Sequence, residues 1–74
     1  MDSWDSSYAY AQKLFSNATG YDDEKAKAKT LKMAWNTAFG LPDWYPGRKE
    51  LMTKIENYAY RCGIDLSKIS GYVY

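Results

Sequence analysis

Residues 34–47 read AWNTAFGLPDWYPG, and this stretch decides how the chain folds. It holds four large aromatic residues, both prolines and two of the five glycines. Gly40 and Pro42 predict the end of a helix, because glycine favours helix ends and proline cannot continue one. Leu41 and Tyr45 each precede a proline and are pushed out of the α region. We therefore expect a helix on each side of one tight aromatic turn.

Apolar residues at helical spacing predict three helices around this turn. Pro46 suits the first position of the helix that follows, where its missing N–H has no partner to lose. Gly20 suits a left-handed C-terminal position, and Asp22 suits the N-cap of the next helix. The predicted inward faces are Trp4, Tyr8, Ala11, Leu14, Phe15 and Ala18; then Ala28, Leu31, Trp35, Ala38 and Phe39; then Leu51, Ile55, Tyr58, Ala59 and Cys62.

The sequence thus predicts an all-α fold, a compact bundle of three helices plus a short C-terminal fourth helix. Gly63 should end the third helix with Ile64 folded back onto it, and Asp65 should cap the fourth. At this length, residues 1–74 form a single domain with a small core, and aromatic residues are expected to fill much of it. The predicted helices cover about 3–18, 22–39, 46–62 and 65–70.

The residue types argue against catalysis and metal binding. The chain has no histidine, so it lacks the commonest base near neutral pH and a frequent zinc ligand. The single cysteine, Cys62, falls on an apolar face, where a small buried hydrophobe is the ordinary explanation. The acidic residues cluster at helix starts, where capping accounts for them. We therefore expect no enzyme activity, no metal and no cofactor.

Charge and hydropathy bound the partners and the location. Ten basic and nine acidic side chains leave a net charge of +1, which is not typical of a phosphate-tracking protein. No apolar run approaches the roughly 18 residues that span a bilayer. The acidic start of the chain does not resemble a secretion signal. With a lone cysteine, these features predict a cytoplasmic, reducing location and no membrane partner.

A lysine-rich face on the second helix keeps nucleic-acid binding open as an alternative. If helices two and three pack side by side, their basic residues form one phosphate-binding surface of a small DNA- or RNA-binding regulator. However, lysine is the usual solvated residue of a helix face. The double-proline connection is also longer than the roughly 3–4-residue turn of a helix-turn-helix. The residues concerned are Lys25, Lys27, Lys29, Lys32, Arg48 and Lys49.

Aromatic residues beyond those needed for the core favour protein binding. Tyr, Trp and Arg are enriched at the energetic centres of interfaces. Trp44 is equally suited to plug the core or to face outward, whereas the tyrosines outside the apolar faces are expected to be exposed. Arg48, just beyond the turn, would complete an aromatic–Arg patch. The predicted protein-binding residues are Trp44, Tyr45, Arg48, Tyr10 and Tyr60.

We therefore expect a non-catalytic module that binds, and so regulates or inhibits, a larger protein or complex. Phage and mobile-element products that act on host machinery are commonly of this size, which is an association and not an inference from residues. A third alternative is a homodimer in which the extra aromatic residues form the interface.

Overall fold

A computed structural model of the chain describes residues 3–66. Three α-helices make up most of this part: α1 (Ser3–Thr19), α2 (Glu24–Phe39) and α3 (Arg48–Arg61). The all-α prediction is confirmed for the described residues, and α1 ends close to its predicted boundary. The predicted fourth helix over 65–70 falls mostly outside the described residues. None of the three helices is long and apolar enough to cross a bilayer.

The N-cap of α2 is Asp23, so the prediction of Asp22 was wrong by one residue. Asp23 has an extended backbone (φ −73°, ψ 122°), and its carboxylate accepts a hydrogen bond of 3.0 Å from the backbone N–H of Ala26. Glu24 follows in the first turn, where its charge faces the positive end of the helix dipole. Asp22 and Asp23 carry the same carboxylate, and the backbone conformation decides which of them caps the helix.

We expect Asp23→Ala to lower the free energy of unfolding by about 1 kcal/mol, because the Ala26 N–H loses its acceptor. Asp22→Ala is the matched control, since it removes the same charge one residue earlier, and it should change stability by less than about 0.5 kcal/mol. Urea denaturation followed by circular dichroism measures both. Equal losses from the two variants would contradict the assignment of the cap.

The connection between α2 and α3 contains two consecutive turns, of which the sequence predicted one. The backbone N–H of Tyr45 donates to the Pro42 carbonyl at 3.0 Å, which is the predicted tight turn. A second turn follows at once, with the Arg48 N–H donating to the Tyr45 carbonyl at 3.2 Å. Helix α3 therefore begins at Arg48 and not at Pro46, and Gly47 is its N-cap in the left-handed conformation (φ 88°).

Glycine ends the helices in two different ways. Gly63 is left-handed (φ 74°), and the N–H of Ile64 donates to the Ala59 carbonyl at 2.8 Å, as predicted for this cap. Gly20 has no positive φ, so the left-handed conformation predicted for it was wrong. Gly40 is the C-cap of α2, as predicted, but in the right-handed conformation (φ −72°). Since Gly40 keeps a helical backbone, Pro42 is the residue that prevents α2 from continuing.

Helix α2 lies between the other two helices, which make little contact with each other. Several of its buried partners are alanines, which allow helices to approach closely. Trp35 is 1% exposed and is the largest side chain among those that are fully buried. Tyr8, Phe15, Met52, Tyr58 and Ile64 surround this core and are partly buried. The core consists of Ala11, Leu14, Ala18, Leu31, Ala34, Trp35, Ala38, Leu51, Ile55, Ala59 and Leu66.

Seven side chains predicted to face inward are not fully buried, and three of them lie at the ends of the helices. Trp4 and Phe39 are exposed, and Cys62 is only half-buried. Each lies in the terminal turn of its helix or just beyond it, where fewer neighbouring elements surround a side chain. Helical spacing alone therefore overestimates the length of the core at both ends of the bundle.

Candidate functional site

Arg48 connects the aromatic turn (residues 41–47) to the end of α2. Its guanidinium donates to the Phe39 carbonyl oxygen at 3.2 Å and forms an ion pair of 3.3 Å with Asp43. The same guanidinium lies 5.6 Å from the centre of the Phe39 ring. Only 14% of the Arg48 side chain is exposed, whereas that of Asp43 is almost fully exposed. Arg48 therefore holds the turn in place and offers little surface of its own to a partner.

Tyr45 connects the same turn to α1. Its hydroxyl donates to the carboxylate of Asp5, and its ring packs at a tilt against the Tyr8 ring with centroids 5.3 Å apart. Gly47 lies directly beside Tyr8, so close that a Cβ placed there would be 2.5 Å from the Tyr8 hydroxyl oxygen. The expectation that Tyr45 is exposed was wrong, because the first turns of α1 cover it and leave it half-buried.

Trp44 projects from this anchored turn into solvent. It is 70% exposed, and its ring centroid lies 6.2 Å from that of Tyr45. Its two neighbours in sequence, Asp43 and Tyr45, are the residues tied to α3 and to α1. Leu41 is the buried side chain of the turn. The sequence was compatible with Trp44 either filling the core or facing outward, and in the structure it faces outward.

Tyr10 and Tyr60 are exposed, as the sequence predicted, with 51% and 85% of their surfaces accessible. Tyr60 does not join Trp44 in one patch. Tyr60 lies near the end of α3, about 18 Å along the helix axis from Arg48 at the rise of an α-helix. Tyr21 and Met33 are also exposed. The five predicted protein-binding residues therefore do not form a single surface.

Lys27 is engaged within the molecule and is not simply a solvated lysine. Its ammonium Nζ donates to the Tyr58 hydroxyl oxygen at 3.1 Å and lies 5.4 Å from the centre of that ring. This hydrogen bond is the main reason why the pKa of Lys27 is raised above its ordinary value. A phosphate that bound Lys27 would compete with this contact between α2 and α3.

The basic residues do not form one continuous surface. Lys27 lies beside Tyr58, near the end of α3, whereas Phe39 lies beside Arg48, at its start. The two helices are therefore antiparallel, and Arg48 and Lys49 lie at the opposite end of the pair from the first lysines of α2. Lys25, Lys29 and Lys49 are exposed, and Lys27 and Lys32 are half-buried.

Within residues 3–66, no group of three or more Cys, Asp or Glu side chains is placed to hold a metal ion. Periodicity missed Phe39 and Trp4 as exposed rings, because both fit the helical spacing of a core face. Comparison with known proteins gives no relative: no family model, no curated protein and no solved structure matches the chain.

Proposed function

We propose that this protein is a non-catalytic binding module that regulates or inhibits a larger protein, and that Trp44 is the centre of its binding surface. The observation that carries the proposal is the exposure of Trp44 on a turn held from both sides. Tryptophan is highly buried on average, and it is among the residues that are enriched at interface hot spots.

The size of the ring makes it a strong anchor. Burying a ring that is 70% exposed removes on the order of 140 Å² from water, which contributes roughly 3–4 kcal/mol before the costs of association. Ordering a mobile loop on binding would offset much of this gain. Here Arg48 and Tyr45 already hold the turn, so little loop ordering remains to be done when a partner binds.

The charges in the turn also indicate which kind of surface the partner presents to Trp44. Asp43 beside Trp44 is already paired with Arg48, so the surface around the indole carries no uncompensated charge from this pair. The complementary surface is therefore an apolar pocket deep enough for an indole, and not a cluster of charges. Binding to such a pocket on a larger protein would require no catalytic residue in this chain.

The nucleic-acid alternative has less support. At least three of its six basic residues, Lys27, Lys32 and Arg48, have partners within the molecule, and Arg48 and Lys49 lie far from the first lysines of α2. Fewer phosphate contacts give weaker binding with a shallower dependence on salt. A homodimer through Trp44 is the other arrangement that buries the indole.

The test is capture from lysate of the source organism with wild-type protein, Trp44→Ala and the control Tyr21→Ala, which also removes an exposed ring. We expect at least one protein to be retained by wild type and control, with and without nuclease. Its retention should fall at least about tenfold with Trp44→Ala, a loss of about 1.4 kcal/mol. The melting temperature should stay nearly constant, because an exposed ring contributes little to the core.

Three results would contradict the proposal. If every retained protein disappears on nuclease treatment, the chain binds nucleic acid, and the lysines of α2 become the site. If sedimentation shows a dimer that Trp44→Ala dissociates, the indole binds a second copy of the chain. Retention that is equal for wild type and Trp44→Ala would remove Trp44 from the binding surface.

A further inference from the structure

A groove runs between α1 and α3 on the side of the molecule away from the aromatic turn. It exists because these two helices make little contact over α2. Phe15, one of its lining residues, meets Tyr58 edge to face, with centroids 5.8 Å apart and planes at 87°. The residues that line the groove are Phe15, Lys54, Asn57, Tyr60 and Arg61.

The polar side of the groove is a short cationic row. Lys54, Asn57 and Arg61 are spaced at i, i+3 and i+7, so they share one face of α3. The rise of an α-helix places the two cations about 10.5 Å apart along the axis. Within residues 3–66, neither cation forms an ion pair or hydrogen bond, and no carboxylate lines the groove. In the part of the chain that the structure describes, these two positive charges therefore have no paired carboxylate.

The apolar side of the groove consists of two rings. Tyr60 is 85% exposed, and Phe15 is partly buried at the edge of the core. An apolar side chain lying between them would cover both rings and exclude water around the cations. Exposed tyrosine beside arginine is the composition typical of interface hot spots.

We propose that this groove binds an acidic, helical segment of a partner protein. Two carboxylates seven residues apart on the segment would pair with Lys54 and Arg61, because an α-helix repeats the same axial spacing. An apolar side chain midway between them would lie on Phe15 and Tyr60. Amphipathic helices commonly bind in grooves between two helices in this way.

A nucleic acid fits the groove less well than an acidic helix. Affinity for a phosphate backbone grows with the number of phosphates that are neutralised, and this groove supplies two cations beside two apolar or weakly polar rings. The proposal does not depend on the aromatic turn, since the groove and Trp44 share no residue. If the test of either proposal fails, the other proposal is unaffected.

The test uses an alanine-based helical peptide of about 15 residues with two glutamates seven residues apart and a leucine midway. Its control carries glutamine in place of both glutamates. Backbone amide shifts of the full 74-residue chain are followed during titration. We expect saturable shifts centred on Phe15, Asn57 and Arg61. The control peptide should bind at least about tenfold more weakly, because it lacks the charges that pair with the cations.

Two double variants separate the groove from net charge alone. Lys54→Ala with Arg61→Ala should weaken peptide binding at least about tenfold, whereas Lys25→Ala with Lys29→Ala removes the same charge from α2 and should change it less than about twofold. All four side chains are exposed, so both variants should keep the helical circular dichroism of the parent. Trp44→Ala should leave peptide binding unchanged.

Several outcomes would overturn the proposal. Equal binding of the two peptides would show that charge complementarity plays no part, and equal weakening by both double variants would show attraction to net charge only. Tighter binding of an oligo-dT strand of about 15 nucleotides, with the same amide shifts, would assign the groove to nucleic acid. A dimer in sedimentation that Lys54→Ala with Arg61→Ala dissociates would assign it to a second copy of the chain.

Discussion

Trp35→Ala should lower the free energy of unfolding by about 3–5 kcal/mol, the range expected when a buried aromatic side chain is removed. Trp35 is 1% exposed, and its ring stacks on Phe39 with centroids 5.0 Å apart and planes at 12°. Its indole N–H also donates to the Glu56 carboxylate at 2.8 Å. The substitution therefore removes the centre of the core and a link between α2 and α3 together.

This loss is close to the whole stability of a domain of this length, which is about 4–11 kcal/mol at roughly 0.05–0.15 kcal/mol per residue. We expect Trp35→Ala to be largely unfolded or to melt far below the parent in urea denaturation followed by circular dichroism. Trp35→Phe keeps a stacked ring, loses only the indole hydrogen bond and part of the volume, and should cost clearly less. A cooperatively melting Trp35→Ala protein with the parent midpoint would show that α2 does not face the core through this residue.

Gly47→Ala should cost about 2–5 kcal/mol for two separate reasons. Gly47 has φ +88°, a conformation that costs a residue with a Cβ about 1–2 kcal/mol. The added Cβ would also lie 2.5 Å from the Tyr8 hydroxyl oxygen and 3.1 Å from Cζ of the same ring, so Tyr8 must shift from its contact with Tyr45. Overpacking of this kind typically costs about 1–3 kcal/mol.

Gly63→Ala is the control that separates the two costs. Gly63 has φ +74°, but no atom of residues 3–66 that could obstruct its Cβ lies within 4 Å of that position. It should therefore lose only the conformational part, about 1–2 kcal/mol. Urea midpoints of the two variants, measured together with Gly47→Ala in a Tyr8→Phe background, give the contribution of the contact with the Tyr8 hydroxyl. Equal losses at both glycines would mean that Tyr8 moves aside without cost.

The helices were predictable because their signals are local. Spacing of three and four residues identified Leu31, Trp35 and Ile55 as core, and the cap at Gly63 followed from its place after the last apolar residue of α3. The choice of Asp23 over Asp22 was not predictable, since both offer the same side chain. The late start of α3 was missed because Pro46 takes part in a second turn before the helix begins.

The candidate site was less predictable because long-range contacts decide which of its side chains are exposed. Tyr45 is half-buried and bonds to Asp5, which lies forty positions earlier in the chain. Arg48 is held by its contacts with Phe39 and Asp43. Composition identified this turn as unusual but could not tell which of its rings has a neighbour. The groove was missed for the same reason, since its residues meet only when α1 and α3 lie on opposite flanks of α2.

Because α2 packs against both other helices, we expect the chain to fold quickly. Most contacts between helices join elements that follow one another in the sequence, so only short segments must close before burial of apolar surface begins. Proteins built from such local contacts reach the native state in microseconds to milliseconds. A chain of 74 residues that contains one cysteine and therefore no internal disulfide gains from this speed, because rings buried on folding, such as Trp35, spend little time exposed to other unfolded chains.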